Sequence, residues 1–181
     1  MSDRSIYPSA MGEAFQRLAP AVQRFHTLTG SHKLRGWVET DAPTALAAKA
    51  LAVCLGTPRN TGGGPICFEL EAFPGGETWT RHFPSKVMAS TLSLRGSVLV
   101  ERLGLANLSF ALSEVGGRLE MALVRLIFLG IPCPSWLLPK IVATEEGDEE
   151  KLLFQVEASY HFIGIVARYR GHLVVPQAES R

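Results

Sequence analysis

A few charged side chains in this sequence interrupt runs that are otherwise apolar, and these are the positions where chemistry would be placed. Arg81 stands between Trp79 and Phe83, Glu101 between Leu99 and Leu103, and Arg125 among Leu119, Met121, Leu123, Ile127 and Leu129. Toward the C-terminus Arg168, Arg170 and His172 alternate with Ala167, Tyr169 and Leu173. Isolated charges on apolar walls are how a small barrel grips an amphipathic molecule: the walls hold the tail, and a guanidinium fixes a carboxylate or phosphate. Arg81, Arg125 and Arg170 are the expected anchors of an acidic head group, with Trp79, Phe110 and Trp136 as cavity wall. The same residues admit a second reading, a reaction on an apolar substrate without a cofactor. Glu101 would then be the general base, and Arg125 or His172 would hold an oxyanion. The alternative for each charge is that it points to solvent, or that Glu101 and Arg125 pair with each other. Strand register decides, because a one-residue slip sends a side chain to the other face.

Motifs with a fixed mechanism are missing. There is no Gly-x-Ser-x-Gly, His-Glu-x-x-His, Cys-x-x-Cys or dinucleotide fingerprint, and no His/Asp/Glu set has metal-ligand spacing. No metal and no cofactor is expected. Cys133, in Pro-Cys-Pro, would be a nucleophile only beside a histidine or a cation; buried among apolar groups it is inert. With Cys54 and Cys67 it makes an odd set of three, which suits reduced thiols rather than a disulfide framework. The triplet Gly62–Gly64 lacks the Gly-Lys-Ser/Thr of a phosphate loop, so Thr57–Pro65 reads as a flexible connector. The acidic run from Glu145 to Glu150 lacks the spacing of a calcium hand and reads as a solvated hairpin tip.

Charge narrows the partners. The chain has 181 residues, 18 of them Lys or Arg and 17 Asp or Glu, for a net charge of +1. A nucleic-acid module would carry a clear basic excess. A composition 46% hydrophobic and 19% charged is that of a folded domain, not of a disordered acidic tail. Glu145, Glu146, Asp148, Glu149 and Glu150 hold five of the acids, leaving 18 basic against 12 acidic residues elsewhere. That excess favours an anionic head group. The N-terminus has no apolar core of a signal peptide. The longest uncharged run, Leu126 to Pro139, holds three prolines; it would be buried or touch lipid at an interface, but it does not span a membrane. A cytoplasmic protein is the expectation.

The elements that must position these residues follow from periodicity. Met11, Phe15, Leu18, Val22 and Phe25 recur at helical spacing, predicting a helix over Ser9–Thr27 that Pro20 kinks or shortens. His32–Thr40 reads as a strand and Thr44–Leu55 as an Ala/Leu-rich helix ended by Gly56. From Pro65 the period becomes two. Strands are predicted at Ile66–Ala72, Glu77–Phe83, Val87–Leu94, Ser97–Leu103, Ala106–Val115 and Arg118–Leu129, joined by glycine turns. An apolar loop, Ile131–Pro139, leads to strands at Lys140–Glu145, Lys151–Phe162 and Ile163–Val174, with a loose tail from Pro176. About ten antiparallel strands after two N-terminal helices make a mainly β (α+β) domain. Closing the last strand on the first gives an up-and-down barrel of the calycin or lipocalin type, with the helices as lid or plug. The competing helix-grip fold would need a long C-terminal helix, and the chain ends instead in a strand pattern. One domain is expected, folded over residues 6–175.

Several segments together resemble the bacterial domain of unknown function 4166. They are Ile6-Tyr7-Pro8, Gly36-Trp37-Val38-Glu39, Trp79-Thr80-Arg81-His82-Phe83, Leu99 to Gly104, Gly130 to Pro139, and Arg168-Tyr169-Arg170-Gly171-His172-Leu173. The loop from Gly130 and the closing Arg-Tyr-Arg-Gly are the most specific. The resemblance implies a stand-alone domain and no catalytic residues. Because members of that family also occur fused to oxidoreductase domains, it implies an oxidoreductase as a potential partner. A third reading follows, an interaction module that docks through an apolar patch around Trp136.

Overall fold

The computed structural model describes residues 5–148 and 150–177. The residues beyond 177 in the expected loose tail, and Glu149 of the acidic run, lie outside the described residues.

Alternating apolar and polar residues, punctuated by glycine turns, produce the strands. They are β1 (Gly30–Asp41), β2 (Gly62–Phe73), β3 (Gly76–Phe83), β4 (Lys86–Arg95), β5 (Val98–Leu103) and β6 (Ala106–Val115). After these come β7 (Arg118–Phe128), the two-residue β8 (Ile131–Pro132), β9 (Lys140–Gly147), β10 (Lys151–Tyr160) and β11 (Gly164–Val174). Each pairs antiparallel with its neighbour in sequence, except that β8 only caps the edge of β7 and β9 takes the place beside it. The ring then closes through β10 and β11 onto β1, so ten strands form a closed barrel with no free edge.

The closing seam depends on two glycines. A Cβ at Gly36 would lie 1.7 Å from the His172 carbonyl oxygen, and one at Gly171 would lie 2.1 Å from that of Trp37. Both positions share the inward face with Leu34, Val38, Tyr169 and Leu173, all buried. Glycine there lets the first and last strands cross at close range.

The helices differ from the pattern in the sequence. In place of one helix over Ser9–Thr27 there are α1 (Ile6–Met11), a 3-10 turn (Gly12–Arg17) and α2 (Pro20–Phe25). Gly12 takes a φ of +57°, which an α-helix cannot continue, and Pro20 sits in the first turn of a new helix, where its missing N–H costs nothing. The apolar spacing survives the breaks, and Phe15, Leu18, Val22 and Phe25 are all buried. α3 (Leu46–Leu55) forms as expected.

The glycine triplet is the other departure. Gly62, Gly63 and Gly64 belong to β2, opposite Thr40, Glu39 and Val38 of β1. The pairing with β1 overrides a composition that on its own reads as a connector.

Strand direction defines two ends. The turns at residues 74–75, 96–97 and 116–117, and the passage from β9 to β10, lie at one end with α1 and α2. There the Ala19 N–H donates to the Gly117 carbonyl (2.7 Å) and the Ala21 N–H to that of Asp148 (3.1 Å). The opposite end carries α3 between β1 and β2, the turns at 84–85, 104–105 and 161–163, and the proline-rich segment 129–139. α3 lies against the β5–β6 turn, where the Leu105 N–H donates to the Cys54 carbonyl (3.4 Å).

Candidate functional site

The inward faces of the strands do not meet at the centre. They leave a cavity of about 410 Å³, within the range of small-molecule sites. Leu92, Leu99, Leu108, Phe110, Leu126 and Leu152 supply much of its apolar wall. At the α3 end, Leu129, Ile131 and Leu137 line the cavity and are also solvent-exposed, so the cavity reaches the surface there. At the other end α1 and α2 close it with Tyr7 and Phe25.

Two charged side chains face each other inside. β3 alternates so that Trp79, Arg81 and Phe83 are buried, and β5 presents Glu101 from across β4. One Arg81 guanidinium nitrogen lies 3.4 Å from Glu101 Oε1, and another donates to Ser90 Oγ at 3.0 Å. The guanidinium carbon sits 4.9 Å from the centroid of the Trp79 ring, in cation–π range. Tyr169, on β11, lines the same space, and its phenol is pushed up to about 12. Burial is the main cause; the carboxylates of Glu101 and Glu145 add to it, and Arg81 opposes it.

A buried polar cluster forms the cavity floor and the layer under it. His26, just past α2, contacts the Glu145 carboxylate of β9 through Nε2 at 2.5 Å. The Tyr7 ring stacks on the His26 imidazole with centroids 3.6 Å apart, and it lies parallel to Trp79 at 6.2 Å. The Tyr7 hydroxyl is buried and, among the described residues, has no hydrogen-bond partner; its pKa is held well above that of an ordinary phenol. Burial is again the first cause, followed by Glu145, Glu77 and Glu101. Glu77 accepts from Trp79 Nε1 (2.8 Å) and from Ser5 Oγ (3.3 Å), and burial raises its carboxyl above the usual range.

The structure therefore divides the residues singled out by sequence. Arg81, Glu101, Trp79 and Phe110 line the cavity. Arg125 does not, because the ladder between β6 and β7 slips: Ser109 opposes Arg125 while Phe110 opposes Leu123. The extra residue, Val124, is a β-bulge that turns Leu126 and Phe128 inward and sends Arg125 to solvent. Glu101 consequently pairs with Arg81, not with Arg125. Arg170 lies on the outer face, exposed, with its Nη2 2.8 Å from Glu39 of β1. His172 shares that outer face, opposite Trp37. The base-and-oxyanion arrangement of Glu101 with Arg125 or His172 does not assemble. Trp136 projects from the proline-rich segment into solvent and is not cavity wall. Cys133 borders the opening, with Sγ 3.4 Å from the Leu137 carbonyl oxygen.

Sequence reading missed Tyr7, His26, Glu77 and Glu145. His26 shows only as a lone histidine after an apolar helix, and Glu145 opens the acidic run. Nothing local distinguishes either from a surface residue. Among the described residues no three His, Cys, Asp or Glu side chains converge as a metal would require. Among them also, no helix is long and apolar enough to cross a membrane.

Fold and site together define a closed antiparallel β-barrel with an apolar internal cavity. The chain belongs to the family described as a domain of unknown function (DUF4166), whose profile matches residues 18–173. No curated protein matches it. Among solved structures it is similar to a protein of unknown function from the DUF3598 family of Nostoc punctiforme PCC 73102, at 10% identity and a TM-score of 0.46. That match covers 82% of this chain and 48% of the other, so the chain spans about half the length of that relative. It is also similar to Rv2717c from M. tuberculosis, at 14% identity and a TM-score of 0.44, over 88% of this chain and 99% of that one.

Proposed function

We propose that this protein binds a small, mainly apolar molecule inside its barrel, with the molecule's one polar end against the Arg81–Glu101 pair. The observation that carries this reading is a cavity of about 410 Å³ whose wall is apolar apart from a few polar groups. A chain selected for stability alone would fill such a space, since empty volume costs packing energy. The head group follows from charge. Of the three arginines expected to anchor an anion, only Arg81 faces inward, and it already has Glu101 as a partner. Two carboxylates, Glu101 and Glu145, line the cavity against that single guanidinium. A neutral end that donates and accepts hydrogen bonds, a hydroxyl or a carbonyl, matches this lining better than a carboxylate or phosphate.

The test is a matched pair, dodecanol and dodecanoic acid, titrated at neutral pH with intrinsic tryptophan fluorescence as readout, in the Trp37→Phe/Trp136→Phe variant that leaves Trp79 as its source. The expected result is saturable binding of the alcohol, about tenfold tighter than the acid. Arg81→Met, which leaves Glu101 and Glu145 without that guanidinium, should widen the difference. Absence of saturable binding by either would overturn the cavity reading; preference for the acid would overturn the neutral head group.

A further inference from the structure

Large apolar side chains on a protein surface are ordinarily scattered singly. Here the most exposed of them are gathered at one place. Phe162 (92% exposed), Leu46 (84%), Trp136 (82%), Ile131 (70%) and Leu129 (61%) all lie at the open end of the barrel. They come from three separate segments at that end: α3, the proline-rich segment after β7, and the turn between β10 and β11. Leu55 of the first, Leu137 of the second and Tyr160 just before the third line the cavity. Leu129 and Ile131 belong to both the rim and the cavity wall, so apolar surface runs from outside to inside without a polar break.

Among the described residues, the exposed charges at this end that lack an ion-pair partner are basic. Lys49 on α3, Arg59 before β2, Arg102 near the end of β5 and Lys140 at the start of β9 are exposed, and none forms an ion pair among the described residues. The acids of the same end are already engaged: Asp41 and Glu157 both hold Arg168. Exposed acids with no ion pair among the described residues, Glu146 and Glu150 for example, sit at the far end. We infer that the open end docks on an anionic bilayer surface, with Trp136 and Phe162 inserted at the headgroup level and the flanking lysines and arginines on lipid phosphates. Apolar tips ringed by unpaired cations are the composition of an interfacial anchor, and tryptophan favours that depth. A rim of separated projections around an opening offers a protein partner little flat area, whereas a fluid surface conforms to it. An apolar molecule could then pass between bilayer and barrel without crossing water.

This inference rests on the rim and not on the identity of any ligand. It is tested by sedimentation with vesicles of equimolar phosphatidylcholine and phosphatidylglycerol, using the full chain with no ligand added. The expected result is co-sedimentation with a blue shift of Trp136 emission, which Trp136→Phe identifies by its loss of signal change. The double variant Trp136→Ser/Phe162→Ser, with its fold checked by circular dichroism, should bind about tenfold more weakly. Phe73→Ser at the far end should bind as the unaltered chain does. Failure to sediment, or sedimentation that the double variant leaves intact, overturns the inference. So does self-association through the same two residues, which would make the rim a protein interface. If vesicles are not bound while dodecanol still is, the docking surface fails and the cavity reading stands; the converse result separates them the other way.

Discussion

The two ends of the barrel invert the usual partition of side chains. At the sealed end, ionisable groups are inside: His26 and Glu145 face each other out of water, Tyr7 stacks on His26, and Glu77 is held by Trp79 and Ser5. At the open end, apolar groups are outside, on α3, the proline-rich segment and the β10–β11 turn. Each arrangement is costly alone, since buried charge needs partners and exposed apolar surface invites association. Their separation shows a division of labour. The sealed end holds the N-terminal helices on the barrel through specific polar contacts, and the open end keeps the cavity accessible.

The sharpest way to break this contrast is to remove a partner at the sealed end. His26→Ala strands the Glu145 carboxylate in the core and removes the ring on which Tyr7 stacks. The expected loss is about 3 kcal/mol, roughly 6–12 °C in Tm for a chain of this length. Urea unfolding of both proteins checks it. A loss below about 1 kcal/mol would mean that the pair is hydrated and the end is not sealed.

Alkaline pH probes the same interior more gently. In the folded chain the Tyr169 phenol is pushed up to about 12, whereas in the unfolded chain it ionises near its ordinary value of about 10. Between those values the folded state holds the extra proton, so this contribution is complete below about pH 10 and is lost as pH rises through about 12. At pH 11 the expected loss is about 1 kcal/mol. Tyr169→Phe should flatten that part of the profile, read as the urea midpoint between pH 8 and pH 11.

How far the sequence reveals these regions depends on how local the cause is. Alternation along β3 and β5 places Arg81 and Glu101 on a buried face, and glycine turns mark the meander, because both effects act within a few residues. The closure of β11 on β1 is legible as a consequence of too many strands for an open sheet. Arg125 was not legible. A single extra residue, Val124, reverses the face of everything after it, and the slip is set by the β6–β7 ladder, not by any residue type at that site. Arg170 and His172 stand on the polar side of a clean alternation, and only the position of Tyr169 in the core shows which side faces in. The His26–Glu145 contact joins positions 119 residues apart, so no spacing rule reaches it. Gly62–Gly64 failed for a related reason, since a partner strand supplies the order that glycine lacks.

The smallest effect tests the other half of the contrast. If the open end is built for access, its apolar tips contribute little to folding. Phe162 is the extreme case, almost wholly exposed, with its ring edge-on to the His161 imidazole at 4.8 Å between centroids. Replacing it with serine removes almost no buried area, so Phe162→Ser should change stability by less than about 0.5 kcal/mol. The same substitution at Phe25, which is buried beneath the cavity, should cost about 3 kcal/mol or more. Thermal melts of the two variants give the comparison directly. A Phe162→Ser variant that melts well below the unaltered chain would place that ring in a packed contact, and the open end would then be a structural lid like the one opposite it.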